Sequence, residues 1–397
     1  MIRLLSNYLY SCNYAVIDMK LTLIHPAHMD YRKDLFEKLN QEYDVTFVFT
    51  KQGRGQKNVF EEQERIPENW NYSVIKTNTI FLGKDVGMYI QLIQELFNDK
   101  SDIIITSTSW HLCWLISKIK NKKFILMTEF WHWNNSSFYR KIINLSIRMI
   151  AKRSDAIFAM GTKSYSAYSS MDVSSDKLFV HPQCAVDYSN NPVKNLKFDI
   201  ELDNKIIFLF IGRLVESKGV DVLLRAFSKL EQEDSDVVLI VGGDGHSKTK
   251  LEVLSRQLGI KNIQFTGRIE KKDISSYYSM CDVFVLPSIF INESYEPWGL
   301  VVNEAMAFGK AIIASSAVGS AYDLISPNQN GYIVRENSSN DLYSAMKQIS
   351  HDKQRLLEMG NKSRIIFDNK NNFESFFLKL NECIEFVANS SAKKRSN

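Results

Sequence analysis

An α/β chain with two parallel sheets, each the core of a Rossmann-like domain, is the fold class this sequence predicts. Three observations predict it. Short, nearly all-apolar runs recur along the chain, and such runs read as strands buried on both faces, the condition of a parallel sheet covered by helices. Stretches with helical spacing lie between them, and alternating strand and helix means α/β with right-handed crossovers. The 397 residues exceed what one ordinary core sustains, so two domains are expected.

The predicted strands are 21–24, 45–49, 103–106, 124–128, 156–160, 206–211, 237–241, 283–286 and 311–314, several of them entered directly from Asp or Lys. The predicted helices are 31–40, 88–98, 110–120, 138–152, 220–232, 250–258, 300–308 and 341–350. The alternation pauses at 181–204, where Pro182, Pro192 and several asparagines interrupt any period, as a linker does. The expected organisation is therefore a first domain over 19–185, a linker over 186–202 and a second domain over 203–365. A C-terminal helix over 373–387 with a frayed tail completes residues 366–397. Residues 1–18 are read as an extension, too polar for a signal peptide and without a small-residue cleavage site, so that a chain begun at Met19 keeps its first strand.

Composition excludes several classes. Hydrophobic residues at 45% and charged residues at 24% are those of a soluble globular enzyme. A net charge of +4 is too small for a nucleic-acid binder. Cys12, Cys113, Cys184, Cys281 and Cys383 stand singly with no C-x-x-C pair, so neither a zinc site nor a disulfide framework is indicated, and a reducing cytosol fits. No apolar run reaches the length of a bilayer-spanning helix.

The residues that carry chemistry follow the later strands. The 206–211 run ends in Gly212-Arg213-Leu214-Val215-Glu216-Ser217-Lys218-Gly219 and a helix follows. Strand, glycine turn and helix form an anion-binding arrangement, because free N–H groups and the helix dipole favour negative charge. Arg213 as a fork and Lys218 as a point charge would neutralise a diphosphate. A solvated turn with ordinary cations has the same sequence. The next strand ends in Gly242-Gly243-Asp244-Gly245, which permits close backbone approach, though G-x-G-x-x-G is not met because Lys248 takes the third position. After 283–286 come Glu296, Pro297 at a helix start, and Glu304 within that helix. Ionised carboxylates are pure acceptors and suit hydroxyl-rich groups, although a helix-dipole carboxylate and a surface glutamate would read alike.

Taken in order, Gly212-Arg213-x4-Lys218-Gly219, Gly-Gly-Asp-Gly, Phe265-Thr266-Gly267-Arg268 and Glu296-x7-Glu304 resemble the retaining glycosyltransferases of family four, which have the GT-B fold. The resemblance spans about 203–335. It implies two Rossmann-like domains facing across a cleft. It implies that Gly212, Arg213 and Lys218 hold the donor diphosphate and Glu304 the ribose hydroxyls. Glu296 would contact the donor sugar, and the backbone of Trp298, Gly299 and Leu300 would lie near sugar and phosphate. Arg268 would lie beside the nucleobase.

The first half matches the family less well. The usual Gly-Gly turn after the first strand is replaced by His25-Pro26-Ala27-His28-Met29-Asp30-Tyr31-Arg32. His28, Asp30 and Arg32 are candidates for the acceptor side; helix-start surface residues are the other reading. After 124–128, His132 matches the family histidine near the transferred sugar, with Glu129 a second cleft residue. A packed aromatic loop is the alternative there.

The resemblance implies a hexosyltransferase that moves sugar from a nucleoside-diphosphate sugar to a glycan or lipid-linked hydroxyl with retained configuration. Arg213, Lys218, Glu296 and His132 would be its catalytic residues. No cofactor is expected, and no Asp-x-Asp metal motif is expected anywhere in the chain, so the cations take the place of Mg2+. A same-face attack by the acceptor is the family expectation. A non-catalytic sugar-nucleotide binder is the alternative; a Rossmann dehydrogenase would need the G-x-G-x-x-G that neither domain offers. Finally, residues 111–153 hold nine Lys and Arg against Glu129 alone, +8 within a chain of +4, interleaved with Trp131, Trp133, Phe138 and Tyr139. That predicts a cytosolic protein docked peripherally on the anionic inner face of a membrane.

Overall fold

The computed structural model describes residues 19–50, 66–75, 79–81, 87–133, 135–291 and 294–395; the expectations for 1–18 lie outside them. Two compact units, Met1–Leu126 and Met127–Asn397, make up the chain.

Fifteen strands are present among the described residues. They are β1 Lys20–His25, β2 Asp44–Phe49, β3 Asn71–Val74, β4 Thr79–Phe81, β5 Gly87–Tyr89, β6 Ile103–Thr106, β7 Lys123–Thr128 and β8 Ala156–Met160. The others are β9 Leu178–His181, β10 Ile206–Ile211, β11 Val237–Gly242, β12 Ile263–Gly267, β13 Val283–Leu286, β14 Ala311–Ser315 and β15 Gly331–Val334. The first sheet has the order β3-β2-β1-β6-β7-β8-β9 and the second β12-β11-β10-β13-β14-β15. Every pairing in the second sheet is parallel. A small antiparallel pair, β4 with β5, stands apart from both.

The nine predicted strands are all there, shifted by no more than a residue at either end. Their side chains explain why: β6, β8, β11, β13 and β14 are buried along their whole length. Two of the six strands that sequence reading missed are the separate pair β4 and β5, and the other four share one position. β3, β9, β12 and β15 are the four outer edges of the two sheets, and each is partly exposed. An edge strand is not covered on both faces, so it lacks the unbroken apolar run that marks a central one.

In the second unit the core is dense. Phe208, Leu209, Phe210, Val237 to Val241 and Val283 to Leu286 are buried between two helical layers. One layer includes Val220–Glu233, whose Leu223, Leu224 and Phe227 face the sheet. The expected linker is packed rather than loose: the Lys194 N–H donates to Ser276 Oγ at 2.8 Å, and Arg364 bridges Asp187 at 3.1 Å. Helix Phe373–Arg395 lies on β8 and β9, with Phe376 against Phe158 at 5.1 Å between ring centroids and His181 Nε2 at 2.8 Å from Ser375 Oγ. That helix continues to Arg395, beyond the expected frayed start at Ser390.

Candidate nucleotide-sugar site

The order of the second sheet reverses between β10 and β13. In an open parallel sheet the crevice outside the C-terminal ends at that switch point is where ligands bind. The segments 212–219 and 287–299 both leave the sheet there, one after β10 and one after β13.

Glycine is required where they meet. Gly219 has φ +64°, and a Cβ on it would stand 2.1 Å from the Pro287 carbonyl oxygen. Only the missing side chain lets the turn approach the 287–289 backbone, where the Ile289 N–H donates to Ser217 O at 2.9 Å. The same holds one strand over. A Cβ on Gly243, at φ +141°, would lie 1.8 Å from Gly212 O, and the Gly243 N–H donates to Gly267 O at 2.7 Å. The three turns after β10, β11 and β12 are therefore bonded to one another through backbone.

On this frame Lys218 Nζ is ion-paired with Glu296 Oε2, both side chains about 15% exposed. Glu296 is held by its own backbone: its N–H donates to Ala317 O at 3.2 Å, and its carbonyl accepts from Gly319 N–H at 3.0 Å. Arg213 and Arg268 are exposed on the same group of turns. Glu304 lies in helix Leu300–Ala307, where the Tyr278 hydroxyl donates to its carboxylate at 2.8 Å. Burial holds the Glu304 carboxyl above the ordinary range, and the Tyr278 hydrogen bond offsets part of that.

The segment after β7 also belongs here. The Tyr295 hydroxyl accepts from the N–H groups of Trp131 at 3.0 Å and His132 at 3.3 Å, and Trp131 Nε1 donates to Pro297 O at 3.0 Å. His132 rests on Phe290 with ring centroids 4.6 Å apart, and this partial burial lowers its basicity. The loop is a packed aromatic loop against the segment that carries Glu296, and His132 on it is exposed. Glu129 accepts from Gln183 Nε2.

Other expected residues take different places. Trp298 turns into the core, 3% exposed, and its Nε1 donates to Asn303 Oδ1 at 2.9 Å. Only its backbone, with Gly299 and Leu300 at the start of the helix, remains at the site. In the first unit His28 and Arg32 are each 2% exposed, so neither is a helix-start surface residue. The His28 ring packs edge-on against Trp70 at 5.6 Å and Phe49 at 6.0 Å. The side chain of Asp30 lies outside the described residues.

Sequence reading missed Tyr295, Gln183, Phe290 and Tyr278, none of which belongs to a charged or glycine pattern. It also passed over Asp234-Ser235-Asp236, an Asp-x-Asp tripeptide where none was expected. This tripeptide precedes β11, at the end of the strand opposite Gly242-Gly243, and the Asp234 carboxylate accepts from the Asp236 N–H at 2.9 Å as a turn residue.

Comparison with known proteins agrees with this geometry. Anabaena HepE, solved in complex with UDP and glucose, superposes with a TM-score of 0.70 at 16% identity, over 92% of this chain and 99% of that one. An uncharacterized glycosyltransferase of Methanocaldococcus jannaschii is 32% identical over 170 residues, 39% of this chain and 42% of that protein. A Campylobacter jejuni alpha-1,4-N-acetyl-D-galactosaminyltransferase, named for a PP-undecaprenol-linked GalNAc saccharide, is 27% identical over 248 residues, 62% of this chain and 64% of that protein. The chain spans about half the length, or less, of most of the curated relatives it matches. The fold is the GT-B fold of glycosyltransferases, α/β with two parallel Rossmann-like sheets. Residues 193–365 match the model of the family Glycosyl transferases group 1.

Proposed function

We propose that this chain is a hexosyltransferase that moves a sugar from a nucleoside-diphosphate sugar to a hydroxyl of a glycan or lipid-linked acceptor. The reaction retains configuration and uses no divalent metal. The observation that carries this reading is the Lys218–Glu296 pair at the switch point of the second sheet, with Arg213 exposed on the same turn.

Departure of a nucleoside diphosphate builds negative charge on phosphate oxygen. Lys218, Arg213 and the N–H groups at the start of the following helix stabilise that charge. Glu296 accepts from sugar hydroxyls and Glu304 from ribose hydroxyls; Arg268 lies beside the base. His132, its basicity lowered by partial burial, hydrogen-bonds the transferred sugar. No enzymic nucleophile is assigned, and the acceptor hydroxyl attacks on the face the diphosphate leaves. Glu129 stands on the acceptor side, whereas His28 and Arg32, each 2% exposed, are packed within the first unit. The UDP and glucose of HepE and the PP-undecaprenol of the Campylobacter relative support a sugar-nucleotide donor and a lipid-linked acceptor. The place of action is the cytosol, at the inner face of a membrane; among the described residues no helix is long and apolar enough to cross one.

Release of nucleoside diphosphate from a panel of sugar nucleotides, with and without acceptor, tests the reading. Transfer that needs acceptor supports it. Tight binding without turnover for every donor and acceptor would instead make the chain a non-catalytic sugar-nucleotide binder.

A further inference from the structure

We propose that the outward face of helix Phe138–Arg153 is a docking surface for an anionic lipid bilayer. This deepens the membrane-facing part of the proposed function, and its test reads vesicle binding rather than turnover, so the two readings fail separately.

The apolar residues of this helix divide into two sets. Ile147, Ile150 and Ala151 are buried against the fold. Phe138, Ile142, Leu145 and Met149 are not: they are 79%, 51%, 68% and 36% exposed. At 100° per residue the exposed four, spaced i, i+4, i+7 and i+11, form one stripe on the side opposite the buried three. The apolar residues Ile142, Leu145, Ile147, Met149 and Ile150 together require only that part of this helix pack on its sheet, and the part that does is Ile147 and Ile150 with Ala151. A surface helix ordinarily turns polar residues outward, and a continuous apolar stripe there marks a contact site.

Charge decides the partner. The helix holds Arg140, Lys141, Arg148, Lys152 and Arg153 and no acidic residue. By the same helical geometry Lys141, Arg148 and Lys152 run along one flank of the stripe and Arg153 along the other. Asp172 bonds Arg148 and, at 3.1 Å, Lys152, which still leaves the face net positive. A second copy seated symmetrically on this face would set these cations against themselves. An apolar stripe between cationic flanks is the pattern of a helix lying in the interface of an anionic bilayer: apolar side chains enter the acyl boundary while Lys and Arg stems reach the headgroups. The His132 loop leads straight into this helix, so docking would bring the candidate site to the surface where a lipid-linked acceptor resides.

Cosedimentation of the full chain with phosphatidylglycerol-containing vesicles tests the assignment, with pure phosphatidylcholine vesicles as the neutral control. The chain should bind the anionic vesicles in preference, and binding should fade with added salt as surface charge is screened. Phe138→Ser with Leu145→Ser should weaken binding about tenfold or more, because the removed groups are those that enter the bilayer. Lys141→Glu with Arg153→Glu should weaken it comparably. Both double variants change exposed side chains, so thermal melting and turnover on a water-soluble acceptor should stay at the level of the unaltered chain. Absence of binding to anionic vesicles at low salt overturns the proposal. So does undiminished binding by the Phe138→Ser, Leu145→Ser variant, and so does self-association in light scattering that this variant abolishes.

Discussion

Lys218 and Glu296, separated by 78 positions in the chain, meet as an ion pair at the switch point of the second sheet. On the proposed function, a diphosphate recruited by Lys218 would compete with Glu296 for the same ammonium and free Glu296 to accept from a sugar hydroxyl. The two residues should therefore separate on mutation. Glu296→Gln should lower turnover about 100-fold while leaving free nucleoside diphosphate bound as tightly or more tightly. Lys218→Ala should lose both. Isothermal titration beside steady-state kinetics reads the split; equal loss of nucleotide affinity in both variants contradicts it.

The pH dependence of donor affinity should come from Glu304. Burial raises this carboxyl, so the ionised form that accepts from hydroxyls is populated only as pH climbs above the ordinary carboxylate range. Donor KM should fall with rising pH through that window and flatten beyond it, and Glu304→Gln should abolish the dependence. Stability should move the opposite way. A carboxyl raised in the folded state binds its proton more tightly than in the unfolded chain, so its contribution is present at low pH and lost as pH rises through the folded value. Melting of the unaltered chain should thus decline relative to Glu304→Gln over the same range. A KM that rises with pH there would refute the assignment.

Tyr295 should act as a positioning residue. Its hydroxyl, pushed up to about 12 by burial, stays a neutral phenol and accepts from two backbone N–H groups of the His132 loop. Tyr295→Phe removes that acceptor at a cost of about 1–3 kcal/mol. The expected signature is a lower melting temperature and a lower kcat with donor KM nearly unchanged. A normal kcat in the folded variant would show that the loop is held by Trp131 and Pro297 alone.

Turnover should persist in EDTA. Asp234-Ser235-Asp236 precedes β11, away from the turns that carry Lys218 and Glu296, so Asp234→Asn with Asp236→Asn should leave kcat/KM within about twofold, as expected for surface changes outside a site. Loss of all activity in EDTA, restored by Mg2+ or Mn2+, would contradict the metal-independent reading.

How legible these features were follows from burial. Central strands such as β11 and β13 were read to within a residue because both faces are covered and every position is apolar. Edge strands such as β12, reading Ile-Gln-Phe-Thr-Gly, mix polar residues into a partly exposed run and give no such signal. That Lys218 and Glu296 stand on turns after central strands, and Glu304 in the helix that follows, was legible from the alternation of strand, turn and helix. Tyr295 and Gln183 were not, since what they do depends on a loop more than fifty residues away folding against them. For Trp298 only a backbone role was read, and the burial of its indole against Asn303 became visible only in the fold. The charge of helix Phe138–Arg153 was legible, but the outward stripe was not, because which apolar residues the sheet takes shows only in the fold.

The most direct test is nucleoside diphosphate release from sugar nucleotides by the unaltered chain, Arg213→Ala and Lys218→Ala, each verified as folded. The account predicts donor-dependent release by the unaltered chain and a loss of about 100-fold or more in each variant, the effect of removing a preorganised electrostatic stabiliser. Turnover at the unaltered rate in both folded variants would place the diphosphate elsewhere and contradict it.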